Sequence, residues 1–200
     1  MNESRFIRLP TLLCLFLGLA LAACSAGVPE EPPLKGAAIG GPFALTNQDG
    51  RPVTDRDYAG QYRIMYFGFT HCPDICPTDL AVIGRALREF EKSDPARAAR
   101  VAPIFVSVDP ERDTPAVLKE YVAAFHPRLT GLTGTPSQVS DMVRRYGAYG
   151  AKGEPAQGGG YLVNHSRVAE LFGPDGQPIA LLPYEQGAEA VAAELDRWVR

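Results

Sequence analysis

Two thiols four positions apart, Cys72 and Cys76, stand in the segment Phe69-Thr-His-Cys-Pro-Asp-Ile-Cys-Pro-Thr78. If that segment is even partly helical, positions i and i+4 share a face, with β-carbons about 5–6 Å apart. An ion shared through metal–sulfur bonds of about 2.3 Å needs sulfurs roughly 4 Å apart, which this spacing permits. One helical turn also falls within the ~4.4–6.8 Å of Cα separation that a disulfide tolerates. The pair can therefore be a metal site when reduced and a disulfide when oxidised, and spacing alone leaves both open. A nearby helix N-terminus is expected to lower a thiol pKa, which serves either use.

A third ligand would favour the metal, and the chain has only three histidines. His126, in Phe125-His-Pro-Arg128, reads as a surface or capping residue at a helix end. His71 adjoins Cys72, but neighbouring side chains diverge, so it reads as an outer or solvent-exposed group. His165 remains, in Tyr161-Leu-Val-Asn-His-Ser166, at an expected strand end or loop. By counting alone a lone histidine is more often structural than a ligand. Two thiolates with one imidazole would form a soft-to-borderline set suited to Cu(I), Cu(II) or zinc. Structural zinc usually closes with four ligands, so a three-ligand site reads as open and able to exchange its ion.

The elements around these residues alternate. Phe43 to Thr46, a turn at Gln48-Asp49-Gly50 and Pro52 to Thr54 read as a short hairpin. Tyr62 to Phe69 is an aromatic and β-branched run of buried-strand length, and the cysteine pair follows it. Strand-to-helix junctions are where α/β proteins place chemistry. After Pro77, Leu80, Ile83, Leu87 and Phe90 recur at helical spacing, with Asp79 expected in the first turn to suit the helix dipole. Ala102 to Val108 reads as a second central strand. Asp113-Thr114-Pro115 reads as a capped start to a helix through Phe125. Pro136 to Tyr146 reads as a third helix, Tyr161 to Val163 and Val168 to Phe172 as strands meeting near His165, Ile179 to Leu182 as a short strand, and Ala188 to Val199 as a closing helix. The glycine-rich stretch Gly147 to Gly160 reads as a loop. Strands alternating with helices imply a largely parallel sheet covered on both sides.

At the N-terminus, Arg5 and Arg8 precede an apolar run, Leu9 to Ala23, shorter than the ~20 residues of a membrane-spanning helix. Residues 1–23 read as a signal peptide. Leu21-Ala-Ala-Cys24 resembles a lipoprotein lipobox, which makes Cys24 the lipidated N-terminus of the mature chain; an ordinary signal peptide or an uncleaved anchor are the alternatives. Residues 24–41, rich in Pro, Gly and Ala, read as a flexible tether. Residues 1–23 carry Arg5, Arg8 and Glu3, so their loss takes the formal net charge from −3 to −4, and no basic patch argues for nucleic acid. With Cys14 and Cys24 set aside, Cys72 and Cys76 are the only thiols of the folded part, which excludes a disulfide framework.

Several motifs together are more specific than any one. They are Gly41-Pro-Phe-Ala-Leu-Thr46 with Asp49-Gly50, Tyr66 through the CPDICP segment to Thr78, Val106-Ser-Val-Asp-Pro-Glu-Arg-Asp-Thr-Pro115, Gly131-Leu-Thr-Gly134, and Tyr161-Leu-Val-Asn-His-Ser166. In this order the chain resembles the Sco/SenC family of copper chaperones for cytochrome c oxidase. The resemblance implies a thioredoxin-like α/β fold over residues 42–200, with a central mixed sheet flanked by helices and the hairpin as an N-terminal extension. It implies one copper ion, Cu(I) or Cu(II), held by Cys72, Cys76 and His165. It further implies delivery to the dinuclear copper site of oxidase subunit II or a related copper-site protein, with an upstream copper donor and a thiol reductant as further partners. The setting is extracytoplasmic, with the membrane reached through the N-terminal lipid. Asn164 stands where the family often has aspartate and Glu170 where an aromatic is common, both expected near the site.

The resemblance also leaves a second class open, a thiol-disulfide oxidoreductase acting on the oxidase subunit's cysteines or sensing redox state. Thioredoxin-like reductases usually carry CxxC and a facing cis-proline, whereas this chain has CxxxC and Asn164-His165. A peroxiredoxin-type pocket, Thr-x-x-Cys, is not reproduced before either cysteine. Asp109, Glu111, Arg112 and Asp113 could form an acidic docking surface, but capping accounts for Asp113 and Thr114 more cheaply. Asp74 and Asp79 read as solvated-loop residues and Phe67 to Phe69 as buried strand. Met65 in a strand and Met142 in a helix make no methionine-rich copper cluster.

Overall fold

A computed structural model describes residues 30–155 and 160–200. The signal peptide, Cys14, Cys24 and the first residues of the expected tether lie outside the described residues. Among the described residues no helix is long and apolar enough to cross a membrane.

The strands are β1 (Ala44–Asn47), β2 (Pro52–Thr54), β3 (Tyr62–Gly68), β4 (Val101–Ser107), β5 (Thr130–Thr133), β6 (Gly150–Pro155), β7 (Tyr161–His165), β8 (Ala169–Phe172) and β9 (Pro178–Leu181). The helices are α1 (Ile75–Ser93), α2 (Pro95–Ala98), α3 (Pro115–Ala123), α4 (Pro136–Arg145) and α5 (Ala188–Trp198). Among the described residues seven strands form one sheet in the order β2-β1-β5-β4-β3-β8-β9, and β6 and β7 pair only with each other.

Every residue of β3 is buried, because the strand is central and covered on both faces. Ile64 and Tyr66 point to one side, where Leu80 and Leu87 of α1, Leu118 and Val122 of α3, and Val191 and Leu195 of α5 complete a core. Met65 and Phe67 point to the other, against Val139, Met142 and Val143 of α4. The helix starts follow local chemistry: Thr114 and Thr135 each accept a hydrogen bond from the backbone three residues on, with a proline at the first helical position.

The fold departs from the sequence reading in several places. The sheet is mixed, as the family resemblance implies, and not largely parallel as the alternation of strands and helices suggests: β3/β4 and β4/β5 are parallel, and the other four junctions of the large sheet are antiparallel. The hairpins β1–β2 and β8–β9 flank a parallel β3-α1-β4-α3-β5 centre, and hairpins add antiparallel strands without crossover helices. The stretch expected as a loop contains β6, whose Gly150, Ala151 and Lys152 pair with His165, Asn164 and Val163. Gly150 lies where an added Cβ would stand 2.8 Å from Val108 Cβ, so the glycine that reads as loop punctuation is a close-approach residue.

One compact unit spans Pro32–Arg200. Leu34 N–H donates to Ile179 O and Gly40 N–H to Arg145 O, each at 2.9 Å, and Tyr146 O–H donates to Gly41 O at 3.0 Å. Ile39 packs against the α4-side core, which adds an apolar reason for this segment to lie on the domain.

Candidate metal centre

The two cysteines are positioned differently. Cys76 is the second residue of α1, whereas Cys72 precedes the helix in the turn that leaves β3; its N–H donates to Phe69 O at 3.2 Å. The Cys76 N–H then points at Cys72 Sγ, 3.4 Å away. The helix N-terminus thus presents a backbone donor to the first thiol rather than two stacked side chains. Both thiols are free and buried.

Burial pushes the Cys76 thiol up to about 12, outweighing the lowering from the Phe69 backbone and the Tyr66 hydroxyl. The expected acidifying effect of the helix terminus is therefore overridden at Cys76 by desolvation of the thiolate. Room for its sulfur comes from Gly68 at the end of β3, where a Cβ would lie 2.8 Å from Cys76 Sγ.

His165 ends β7, as its sequence context implies, and brings Nε2 to 3.3 Å from Cys76 Sγ. Its Nδ1 lies 2.8 Å from Ser166 O. A carbonyl only accepts, so the proton is assigned to Nδ1, which leaves the Nε2 lone pair facing the sulfur. The imidazole packs edge-on against Phe69, ring centres 5.6 Å apart. One donor atom from each of Cys72, Cys76 and His165 lies within 4.8 Å of the others, and no other such group of three occurs among the described residues. Two soft sulfurs and an oriented imidazole nitrogen fit a copper ion, and a backbone-bonded Nδ1–H is the usual way of fixing a metal-binding histidine.

A polar scaffold surrounds the three. Asp113 does not cap α3, a role that falls to Thr114; it is fully buried and accepts from Thr70 N–H at 3.0 Å, Thr70 O–H at 2.6 Å and Ser107 O–H at 2.6 Å. This ties the cysteine loop to the end of β4. Asp79 is also not a first-turn or solvated residue. It is buried on α1, accepting from Tyr66 O–H at 2.9 Å and from Arg167 through both carboxylate oxygens at 2.9 and 2.7 Å. Asp109 accepts from Arg112 Nε at 2.5 Å and Tyr161 O–H at 2.7 Å, and the Arg112 guanidinium lies 3.7 Å above the Tyr161 ring centre. The Asp109 to Asp113 segment therefore looks inward, apart from Glu111, which is exposed and paired with Lys152.

The other histidines stay out of the cluster. His71 is half exposed, with Nδ1 3.0 Å from Thr70 Oγ1. His126 is buried rather than superficial: its Nδ1 accepts from Arg128 N–H at 3.2 Å, and burial holds its imidazole below the ordinary value. Glu170 is not beside the site. It pairs with Met65 across β8 and β3, so it shares Met65's side of the sheet, opposite Tyr66 and Cys76. Sequence reasoning missed Tyr66 and Arg167; the only signal was a phenol in a buried strand and an arginine two residues after the histidine.

Known proteins share this arrangement of sequence and fold. The chain is 45% identical over 151 residues to the SCO1 homolog 1, mitochondrial, of Arabidopsis thaliana, covering 76% of this chain and 44% of that one. It is 38% identical over 162 residues to the human SCO1 homolog, mitochondrial, covering 81% and 53%. The match thus spans about half the length of these relatives. The structure of Bradyrhizobium japonicum ScoI with copper bound superposes with a TM-score of 0.73 at 42% identity, over 80% of this chain and 99% of the other. Two more distant structures share the fold: BsSco, a member of the Sco family of cytochrome c oxidase assembly proteins with a disulfide switch (24% identity, TM-score 0.62, 84% and 96% covered), and the thioredoxin domain of a Bacteroides vulgatus thiol-disulfide oxidoreductase (15%, 0.57, 81% and 96%). A family model, SCO1/SenC, matches residues 31–200, which include the CPDICP segment and His165. On this evidence the chain belongs to the SCO1/SenC family.

Proposed function

We propose that this protein is an extracytoplasmic copper metallochaperone that holds one copper ion through Cys72, Cys76 and His165 and delivers it to the dinuclear copper site of cytochrome c oxidase subunit II, or to a related copper-site protein. The observation that carries this reading is the His165 Nε2 lone pair directed at Cys76 Sγ from 3.3 Å, with Nδ1–H committed to Ser166 O. A redox dithiol needs no such imidazole. Three protein ligands leave copper a coordination position through which a recipient's ligand can enter, so transfer proceeds by exchange. The copper-bound ScoI relative supports the choice of metal.

Residues 1–23 act as a signal peptide and Cys24 as the lipid attachment point, which keeps the domain at the membrane where the oxidase resides. An upstream copper donor loads the site, and a thiol reductant keeps both cysteines free.

A second reading, thiol-disulfide exchange on the recipient's cysteines, is favoured by the buried Cys72–Cys76 pair on a thioredoxin-like sheet. Both roles fit one molecule, since a recipient's thiols must be reduced before they accept copper. Titration of the reduced protein with Cu(I) tests the first role, and turnover of a disulfide substrate the second. The chaperone reading expects tight one-to-one binding that weakens in Cys72→Ser, Cys76→Ser and His165→Ala. Rapid turnover of a disulfide substrate that His165→Ala leaves untouched, without stoichiometric copper binding, would establish the enzyme instead.

A further inference from the structure

His165 and Cys76 reach the site on elements that the main sheet does not join. Among the described residues β7 pairs only with β6, so no backbone ladder of the seven-stranded sheet fixes the height of His165 above α1. The chain enters that sheet again only at Ala169, the first residue of β8. Between these points one side chain crosses to the cysteine helix. The Arg167 guanidinium meets the Asp79 carboxylate with two parallel hydrogen bonds, Nε to Oδ2 at 2.9 Å and Nη2 to Oδ1 at 2.7 Å. Asp79 lies three residues after Cys76 on α1, and residues so spaced share a helix face. Arg167 lies two residues after His165.

Both ends of this bridge are held. Asp79 is 2% exposed in its side chain and also accepts the Tyr66 hydroxyl, so its carboxylate cannot swing away. The Arg167 carbonyl accepts from Tyr184 O–H at 2.5 Å, and its Nη1 donates to Glu185 Oε1 at 2.9 Å. The neighbouring Ser166 is tied back to the hairpin, its N–H donating to Tyr149 O and its Oγ accepting from Tyr149 N–H. A bidentate guanidinium–carboxylate pair fixes orientation as well as distance, which a lysine ammonium does not.

We propose that Arg167, clamped to Asp79, is the positioning residue that sets His165 Nε2 over Cys76 and thereby sets the affinity of the metal centre. The inference rests on the copper reading above. Arg167 touches neither thiol and acts only through the placement of His165.

The test is Cu(I) competition between the full-length reduced protein, solubilised in detergent, and a chromophoric Cu(I) chelator, with thermal melts alongside. Arg167→Ala is expected to lose about tenfold in affinity, the low end of what removing a ligand's supporting contact costs. In the His165→Ala background the same change is expected to cost less than about twofold, because nothing remains to position. In the Cu(II) form, Arg167→Ala is expected to shift the sulfur-to-copper charge-transfer band, and a merely structural contact would leave that band in place.

Unchanged Cu(I) affinity in Arg167→Ala overturns the clamp, and so does an equal loss with and without His165. Should Arg167→Ala fail to fold with Asp79 left unpaired, Arg167→Lys carries the test, since it keeps the charge and loses the fork; wild-type affinity and spectrum in that variant overturn the proposal. Failure of the wild-type protein to bind Cu(I) sinks the copper reading itself, a result separate from any comparison of variants.

Discussion

Cys76 Sγ and His165 Nε2 stand 3.3 Å apart although 89 positions separate them in the chain. An ion bound to both, at about 2.3 Å from sulfur and about 2.0 Å from nitrogen with a near-tetrahedral angle, holds the two atoms roughly 3.5 Å apart. The metal-free contact is therefore close to a loaded geometry, and binding needs a separation of only a few tenths of an ångström. For this pair little reorganisation has to be offset by metal–ligand bonding.

From this preorganisation follows the first prediction. His165→Ala keeps both thiols and removes the proposed third ligand, so Cu(I) affinity is expected to fall by at least the ten- to hundredfold that even supporting contacts are worth. Chelator competition measures it. A loss below threefold would mean that the imidazole is not a ligand.

Gly68 supplies the second. An added Cβ would lie 2.8 Å from Cys76 Sγ, 3.0 Å from a Phe105 ring carbon and 3.2 Å from a Tyr66 ring carbon. Neither ring moves freely in a packed core, so the sulfur is displaced. Gly68→Ala is expected to fold with a stability loss of about 1–3 kcal/mol from overpacking and to bind copper at least tenfold more weakly. Urea unfolding and copper competition on the same sample separate the two effects.

How much of this was readable beforehand depended on the kind of interaction. β3 and β4 announce themselves because nearly all of their positions are buried and most are apolar or aromatic, Arg63 and Ser107 excepted. The CxxxC spacing is local, and so is the Thr-Pro start of α3. Partners across the chain are not. Asp79 looks like a first-turn acid and Asp113 like a cap, since propensity sees only their neighbours; Arg167 and Thr70, 88 and 43 positions away, decide their roles. β6 escaped because Gly150, Gly153 and Pro155 carry loop signals, and only its partner β7 makes it a strand. The place of His165 came from family resemblance, for no pattern of spacing links residue 165 to residue 76.

Asp113 carries the third prediction. Its carboxylate satisfies three donors at the junction of the cysteine loop and β4. Asp113→Ala leaves the buried Ser107 hydroxyl and the half-buried Thr70 amide without their acceptor, with an expected cost of about 2–4 kcal/mol. Asp113→Asn retains the shape and part of the bonding and is expected to lose less than half of that. Chemical denaturation reads both. Equal stability of Asp113→Ala and wild type would show that water replaces the carboxylate without penalty.

Glu170 gives the last prediction, a pH dependence unconnected with the proposed metal ligands. It sits in β8 on the α4 side of the sheet, 4% exposed, and burial pushes its carboxyl up from 4.5 to about 8. Its Oε2 has no hydrogen-bond partner among the described residues. Between these two values the folded protein keeps the proton that the unfolded chain has released, so folding is weakened as pH rises. The contribution is intact below pH ~4.5, is lost progressively up to pH ~8 and is constant above it, amounting to on the order of 3–5 kcal/mol. Glu170→Gln is neutral throughout and of similar shape, so it is expected to be more stable than wild type at pH 8 and nearly equal at pH 5. Thermal melts of the two proteins across that range measure the divergence, and parallel curves from pH 5 to pH 8 would show that Glu170 ionises normally where it is buried.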